Sequence, residues 1–281
     1  MVTLEDYQTD IKPTWCPGCG NYGIWMALKS ALVKLQLMNH NTVLVYGVGC
    51  HGNMRDWMHV YGVEGLHGRA LPIAQGIKLA NSGVNVIVIS GDGDCLGEGG
   101  NHFIHAAKRN PNITLMIHDN QVYGLTTGQA SPTAKIGMKT KSTPDGVLEP
   151  PMNPLLMSLI AGSTFVSRGF AGNIPHLTEL MVKAISHKGF SVVDVLQPCV
   201  TFDRVHTYDW FRKRIYTLDT TPTVYQESIM KTLEWGDKIP TGIFWEEQKE
   251  TIEDRENLIE TPLVQFPLGI PDRNTLIQMF R

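Results

Sequence analysis

A chain of 281 residues with 42% apolar and 18% charged residues has the composition of a folded globular protein, one that buries roughly three quarters of its surface. Its 24 basic residues against 27 acidic ones leave a net charge of −3, which excludes a polybasic surface for nucleic acid or an acidic membrane. No apolar run approaches the about 18 residues of a membrane span, and the acidic start MVTLEDYQTD lacks the basic and apolar regions of a secretion signal, so a cytoplasmic protein is expected.

Residues 1–15 read as extended and lead into WCPGCGNYG, a loop punctuated by Gly and Pro that carries Cys16 and Cys19. Apolar residues at helical spacing (Ile24, Leu28, Ala31, Leu32, Leu35) predict a helix over 24–37, closed by Asn39-His40-Asn41. A strand over 42–46 ends in GVGCHGN and sets Cys50 at its carboxyl end. A loop with Asp56, His59, Glu64 and HGR at 67–69 precedes a helix over 71–80. The β-branched run 84–90 then predicts a buried parallel strand.

That strand empties into GDGDCLGEGG. Its glycines at 91, 93, 97, 99 and 100 let backbone N–H groups approach a ligand, and Asp92 offers a hard oxygen at the edge where open α/β sheets bind cofactors. A helix over 102–109, stopped by Asn110-Pro111, and a second buried strand over 113–117 bring Asp119 and Asn120 to the same edge. The polar, proline-bearing run over 131–151 has no period and reads as a lid, a binding segment or an interface. A helix over 153–161, a strand over 164–167 and a helix over 175–186 follow. The strand over 191–196 is expected to be the last in the sheet, and its exit Gln197-Pro198-Cys199 puts another cysteine beyond a strand end.

This alternation predicts an α/β fold, a doubly wound, mainly parallel sheet with right-handed crossovers. The expected division is a domain over 1–205 and a C-terminal extension over 206–281, whose Trp210, Phe211, Trp235 and Trp245 predict packing on the body or on another subunit.

Mg²⁺ takes one or two protein oxygens and completes its shell with water and substrate phosphates, so Asp92 with Asn120 suffices to dock a diphosphate. The bland alternative is a strand–loop–helix turn with exposed acids. GDG, then 25 residues, then Asp-Asn, followed by YGLTTGQ, resembles the diphosphate-binding motif of thiamine diphosphate enzymes. The resemblance implies Asp92 and the Asn120 side chain on Mg²⁺, with the Val122 carbonyl as third ligand. Gly91, Gly93, Asp94, Tyr123, Gly124, Leu125 and Thr126 complete the implied cofactor surroundings.

Five cysteines, two of them in CPGC, argue against a secreted disulfide framework and for metal or redox use. Cys16 and Cys19 share a loop, while Cys50 and Cys199 follow parallel strands and are expected on the edge that carries the diphosphate motif. Such a four-sulfur site suits an iron–sulfur cluster or a structural Zn²⁺, and spacing does not choose between them. A thioredoxin-like CxxC pair is a third reading, although it needs neither Cys50 nor Cys199. Cys95 reads as a small buried side chain.

WCPGCGN, GVGCHGN, HGRALPIAQGIKLAN, GDGDCLGEGGNHFIHAAKRN, DNQVYGLTTGQASPT and LQPC, spread over residues 12–205, together resemble the β subunit of 2-oxoacid:ferredoxin oxidoreductases. The resemblance implies one [4Fe–4S] cluster on Cys16, Cys19, Cys50 and Cys199. It implies CoA-dependent oxidative decarboxylation of a 2-oxoacid, pyruvate or 2-oxoglutarate, to acyl-CoA and CO₂, with electrons passing through the cluster to ferredoxin. It implies an α subunit that supplies the glutamate activating thiamine diphosphate; Glu64 is a stand-in here, but a surface role fits it better. His51, His67 and Arg69 take pocket duty on the same basis, with a structural hydrogen-bonding role equally open. Leu125 and Thr127 are placed to meet the tail of the acid. His102 and His105 read as helix packing and surface bonding rather than a metal pair. Two rivals are a non-redox thiamine diphosphate decarboxylase or synthase with a structural zinc, and an electron-transfer subunit without the thiamine cofactor.

Overall fold

The structure, a computed structural model, describes residues 1–256 together with 262–265, 269, 274, 277 and 278. Its β-branched runs become strands at the centre: β1 (Thr42–Tyr46), β2 (Tyr61–Glu64), β3 (Asn85–Gly91) and β4 (Ile113–Asp119), then a small hairpin of β5 (Val122–Tyr123) and β6 (Gln129–Ala130), then β7 (Phe165–Phe170), β8 (Phe190–Leu196), β9 (Ile215–Thr217) and β10 (Ile239–Glu246). Helices α1 (Asn21–Lys34), α2 (Ala70–Ala80), α3 (Gly100–Arg109), α4 (Pro154–Ala161), α5 (Ile174–Ser186), α6 (Tyr208–Arg212), α7 (Tyr225–Thr232) and α8 (Ile252–Arg255) connect them. The sheet order is β2-β1-β3-β4-β8-β7-β10-β9, and every neighbouring pair is parallel except β7 with β10.

Alternation along the strands divides the core in two. Leu44, Tyr46, Ile87, Ile89 and Met116 pack with α1 and α5 on one face, while Val43, Val45, Val86, Val88, Ile113 and Leu115 pack with α2 and α3 on the other. Each such fully buried side chain contributes about 1.5–3 kcal/mol. On the first face α1 comes so close to the end of β7 that a Cβ on Gly23 would lie 2.1 Å from the Ala171 carbonyl oxygen. Gly23→Ala is therefore expected to destabilise the chain by about 1–3 kcal/mol. A lower urea midpoint at unchanged slope would register it.

The structure departs from the sequence expectation at several elements. Helix α1 starts at Asn21, directly inside the cysteine-bearing segment, and is closed by Gln36 at φ +52° rather than at Asn39-His40-Asn41. β2 lies in a segment whose sequence predicts loop, because all four of its residues are exposed and leave no buried period. The N-terminal stretch is not wholly extended: a single turn over Glu5–Tyr7 buries Tyr7, whose hydroxyl donates to the Leu37 carbonyl. β7 runs on through Arg168 to Phe170, since Arg168 Nε donates to Asp194 Oδ2 at 2.8 Å and both side chains are buried as a pair.

β8 is not the last strand. β10 joins β7 antiparallel, with a register shift between Ile243 and Trp245, and β9 joins β10. Pro240 and Gly242 lie within β10, and each breaks a strand-like pattern in the sequence. Of the tail aromatics, Phe211 is fully buried and Trp245 packs edge-on against Tyr225. The run over 131–152 contains no helix or strand, as its composition predicts. Among the described residues no helix is long and apolar enough to cross a membrane.

Candidate active site

β1, β3, β4 and β8 all run parallel, so their carboxyl ends open on one edge. At that edge β3 passes through Asp92 into a π-helical turn, Gly93–Glu98, which hands over to α3. Asp92 is buried. Its Oδ2 accepts from Gln121 N at 3.1 Å and from the Ser131 and Thr133 hydroxyls, both at 2.5 Å, while Oδ1 carries none of these bonds. Thr133 Oγ1 also lies 2.8 Å from Asp119 Oδ1. Burial pushes the Asp92 carboxyl above the usual carboxylate range and Asp119 further, the neighbouring Asp194 and Asp92 adding to its shift. A bound divalent cation reverses that preference at a carboxylate it touches.

Asn120 closes an Asx turn, its Oδ1 accepting from Val122 N at 3.0 Å, and Gln121 takes φ +63°. The chain then makes the β5–β6 hairpin, Val122 against Ala130 and Tyr123 against Gln129. Asp92, Asn120 and Val122 line one cleft of about 70 Å³. Gly91, Gly93, Asp94, Tyr123, Gly124, Leu125 and Thr126 line it too, as do His51 and His67.

Two predicted site residues stand outside the cleft. Arg69 does not line it; its Nη1 lies 2.8 Å from Nε2 of His102. Thr127 is exposed at φ +80°, one step past the lining residues. The glutamate stand-in Glu64 is tied up 2.7 Å from Arg55 Nη1.

Two others, His51 and Asp94, prove to serve the backbone. His51 Nε2 accepts from Gly91 N at 3.0 Å and its ring also bonds the backbone of Gly47, so both neighbours of the cleft are braced by one imidazole. Burial drives its pKa down to about 4, which leaves a neutral ring near pH 7. Asp94 is a clasp between three segments: Oδ1 accepts from Val48 N at 3.1 Å and Gly68 N at 2.8 Å, and Oδ2 from the Ser90 hydroxyl at 2.6 Å. His67 Nδ1 lies 2.7 Å from Asp94 Oδ1 without the alignment of a hydrogen bond.

Sequence reading assigned no role to Ser131 and Thr133. The signal was there: two hydroxyls in ASPT, just after the hairpin, are the natural donors to a buried acid. Thr133→Val keeps the shape and removes one donor. It is expected to weaken binding of a divalent cation at Asp92 by about 10–100-fold, the usual effect of losing a bond that orients a ligand, and calorimetric titration with Mg²⁺ and thiamine diphosphate reads it.

The cysteines gather beside the hairpin. A Cβ on Gly124 would lie 3.4 Å from Cys50 Sγ and 4.0 Å from Cys199 Sγ. Gln197 Nε2 donates to Cys19 Sγ at 3.5 Å, and Cys19 N to the Cys16 carbonyl at 2.9 Å. Burial pushes the thiols of Cys19 and Cys50 up to about 11, and each is raised further by Cys199, Cys19 also by Cys50 and Cys50 also by Cys16. Trp15 Nε1 donates to the Cys50 carbonyl at 2.6 Å and fixes that loop on an aromatic cluster with Trp57 and Tyr22. Cys95 lies apart, buried in the core against α2 and α3. Among the described residues no three His, Cys, Asp or Glu side chains are set closely enough for one metal ion.

Residues 47–195 match the family model for the C-terminal TPP-binding domain of thiamine pyrophosphate enzymes, and residues 199–260 match the model for the C-terminal part of the pyruvate ferredoxin oxidoreductase β subunit. The 2-oxoacid:ferredoxin oxidoreductase subunit beta of Saccharolobus solfataricus is 46% identical over 249 residues, 83% of this chain and 82% of that protein. This chain belongs to that β-subunit family. The 2-oxoglutarate oxidoreductase subunit KorB of Mycobacterium tuberculosis is 42% identical over 209 residues, 74% of the β subunit described here and 56% of that protein. The solved 2-oxoglutarate:ferredoxin oxidoreductase from Magnetococcus marinus, with 2-oxoglutarate, coenzyme A and succinyl-CoA bound, superposes with a TM-score of 0.91 at 34% identity, covering 100% of this chain and 96% of that one. The β subunit thus carries the expected doubly wound fold of thiamine diphosphate enzymes, and the match to the second family model begins at Cys199.

Proposed function

We propose that Asp92, the Asn120 side chain and the Val122 carbonyl hold Mg²⁺ and through it the diphosphate of thiamine diphosphate, and that Cys16, Cys19, Cys50 and Cys199 hold one [4Fe–4S] cluster. With an α subunit, the chain catalyses CoA-dependent oxidative decarboxylation of a 2-oxoacid to acyl-CoA and CO₂ and passes the electrons to ferredoxin in the cytoplasm. One observation carries this reading: Gly124 borders the Asp92 cleft and also the sulfurs of Cys50 and Cys199. An oxidative use of the cofactor needs an electron acceptor at that distance, and a non-redox decarboxylase does not.

The donor sets fit the groups. Hard oxygens at Asp92 and Asn120 suit Mg²⁺, and a cysteine tetrad suits iron–sulfur chemistry. The cleft of about 70 Å³ is small, and Asp92 and Asn120 both line it, where they would hold the ion and through it the diphosphate. Among the described residues no glutamate lines the cleft, and Glu64 is held by Arg55, which supports an α subunit as the source of the activating carboxylate.

When bound, thiamine diphosphate supplies a carbanion and an electron sink, and the cluster a one-electron acceptor. This chain's residues orient and fix. Ser131 and Thr133 hold the Asp92 rotamer, His51 braces the β1 and β3 ends, and Tyr123 Oη reaches Glu98 and the Gly93 carbonyl at 3.3–3.4 Å to pin the hairpin. Leu125 and Thr126 at the hairpin tip face the substrate. Among the described residues no Lys or Arg lines the cleft, so a second carboxylate on the substrate would be met by the partner. 2-Oxoglutarate, in the names of several relatives, is the first acid to try, with pyruvate beside it.

The test is anaerobic purification with the α subunit and assay of a panel of 2-oxoacids with CoA and ferredoxin. Acyl-CoA formation that needs both subunits and reduces ferredoxin is expected. Turnover by this chain alone, or decarboxylation without reduction of the acceptor, would sink the reading.

A further inference from the structure

The four sulfurs proposed to hold the cluster are not equally covered. Cys19 and Cys199 are buried, Cys50 is half-buried and lines the diphosphate cleft, and Cys16 is exposed and lies outside the cleft. An electron that leaves the cleft through a cluster on these sulfurs enters on the Cys50 side and exits at Cys16. The exit is a loop without bulk: Cys16, Pro17 and Gly18 are all exposed. Gly18, at φ +82°, sits so that a Cβ would lie 3.8 Å from Val200 Cγ1, which joins this loop to the turn after Cys199. Nothing large on the loop holds a partner at a distance.

Positive charge gathers on the same side. Burial raises the Tyr208 phenol and the Cys19 sulfur adds to it, so the start of α6 stands within electrostatic reach of the cysteines. The Arg212 guanidinium lies 5.4 Å from the Tyr208 ring. Between Cys199 and the end of this stretch Arg204, Arg212 and Lys213 are exposed and Arg214 is half-buried. Its acids are an exposed Asp209, 3.3 Å from Arg212, and a buried Asp203 spent on His206. The open groove that continues from Lys213 and Arg214 adds Lys231 and Lys238 against Glu234 and Asp237. On the other flank of the exposed loop Lys12 and Asp10 cancel. A positive excess thus stands beside the sulfurs of a chain whose net charge is −3.

Val200 and Val205, 43% and 56% exposed, put two apolar side chains inside that basic rim. A small apolar centre with a charged border is the anatomy of a transient protein interface, and electron-transfer encounters need little area. The sign of the rim selects the visitor. A cluster held by thiolates is an anion, so an iron–sulfur carrier with an acidic surface is drawn to this face and turned toward Cys16, whereas a basic protein is repelled.

We propose that ferredoxin docks on the face formed by the 16–18 loop, Val200, Val205, Arg204 and Lys213, and takes its electrons on the Cys16 side; this rests on the cluster reading above. Each encounter moves a single electron from the cluster of this chain to that of the carrier, with no bond or proton change, so the electron pair released per 2-oxoacid leaves in successive encounters. The test compares charge-reversed β subunits purified anaerobically with the α subunit. Arg204→Glu with Lys213→Glu alters this face; Lys108→Glu with Lys249→Glu makes the same change of net charge at a separate pocket. The KM for ferredoxin is expected to rise about tenfold in the first pair and to stay at the parent value in the second, with kcat little changed. Methyl viologen, a small acceptor that needs no docking face, is expected to be reduced at the parent rate by both. For the parent, kcat/KM with ferredoxin is expected to fall as NaCl rises, and the first pair to flatten that slope. An unmoved KM, an equal loss in the second pair, or a parent rate indifferent to salt would each overturn the proposal. So would loss of the α subunit from the first pair alone, which would give this face to α. The salt series uses the parent protein and decides the matter should the first pair fail to fold. Acyl-CoA formed with neither acceptor reduced would instead sink the functional reading itself.

Discussion

Asp92→Asn is expected to lower the affinity for thiamine diphosphate with Mg²⁺ by about 100-fold or more, and to abolish turnover, while the visible absorbance of the cysteine site remains. The substitution is nearly isosteric. The Ser131 and Thr133 hydroxyls can rotate to meet an amide, and Gln121 N keeps the carbonyl oxygen, so the buried network survives the change. What is lost is the negative charge. Mg²⁺ sheds water reluctantly and accepts a protein site chiefly through a carboxylate, which a neutral amide on the same atoms replaces poorly. Asn120→Ala removes a neutral ligand and is expected to cost less, about tenfold. Titration calorimetry at saturating Mg²⁺ reads both. An Asp92→Asn affinity within a few-fold of the parent would mean that the diphosphate is held elsewhere.

The strands that carry the site were legible because they are buried on both faces. The 84–90 and 113–117 runs became Asn85–Gly91 and Ile113–Asp119, and the one-to-two-residue extensions are what deliver Gly91 and Asp119 to the edge. β2 and β10 escaped for opposite reasons. β2 has no buried side chain to give it a period, and β10 buries Pro240 and Gly242, residues whose propensity speaks against the strand that tertiary packing imposes. Motif spacing located Asp92 and Asn120 but gave no bonding partners. His51 and Asp94 stand at the predicted place with all or most of their polar atoms spent on Gly91, Gly47, Val48, Gly68 and Ser90. A sequence shows that a polar residue is near a site; only contacts show whether it faces the ligand or the scaffold.

The cysteines test the other half of the reading. Serine at Cys50 or Cys199 is expected to remove the visible colour of the anaerobically purified protein and to stop reduction of ferredoxin, whereas Cys95→Ser is expected to leave both in place. The distinction rests on position: Cys50 and Cys199 reach to within 4.0 Å of the same point beside Gly124, and Cys95 is buried in the core on the α2 and α3 side. Serine fits the space of a thiol but its hard oxygen is a poor ligand for iron in a sulfide cluster. Binding of thiamine diphosphate is expected to survive in all of these variants, because none of the substituted side chains bonds Asp92 or Asn120. Held empty, the thiols of Cys19 and Cys50 are protonated up to about pH 11 by burial, so loading a metal must displace those protons and becomes more favourable as pH rises. A zinc site obeys the same proton rule, but it is colourless and does not bleach with dithionite. Brown protein that bleaches, and loses its colour at Cys16, Cys19, Cys50 and Cys199 alone, is the outcome expected of the proposed cluster; colourless protein with stoichiometric zinc would return the chain to the non-redox alternative.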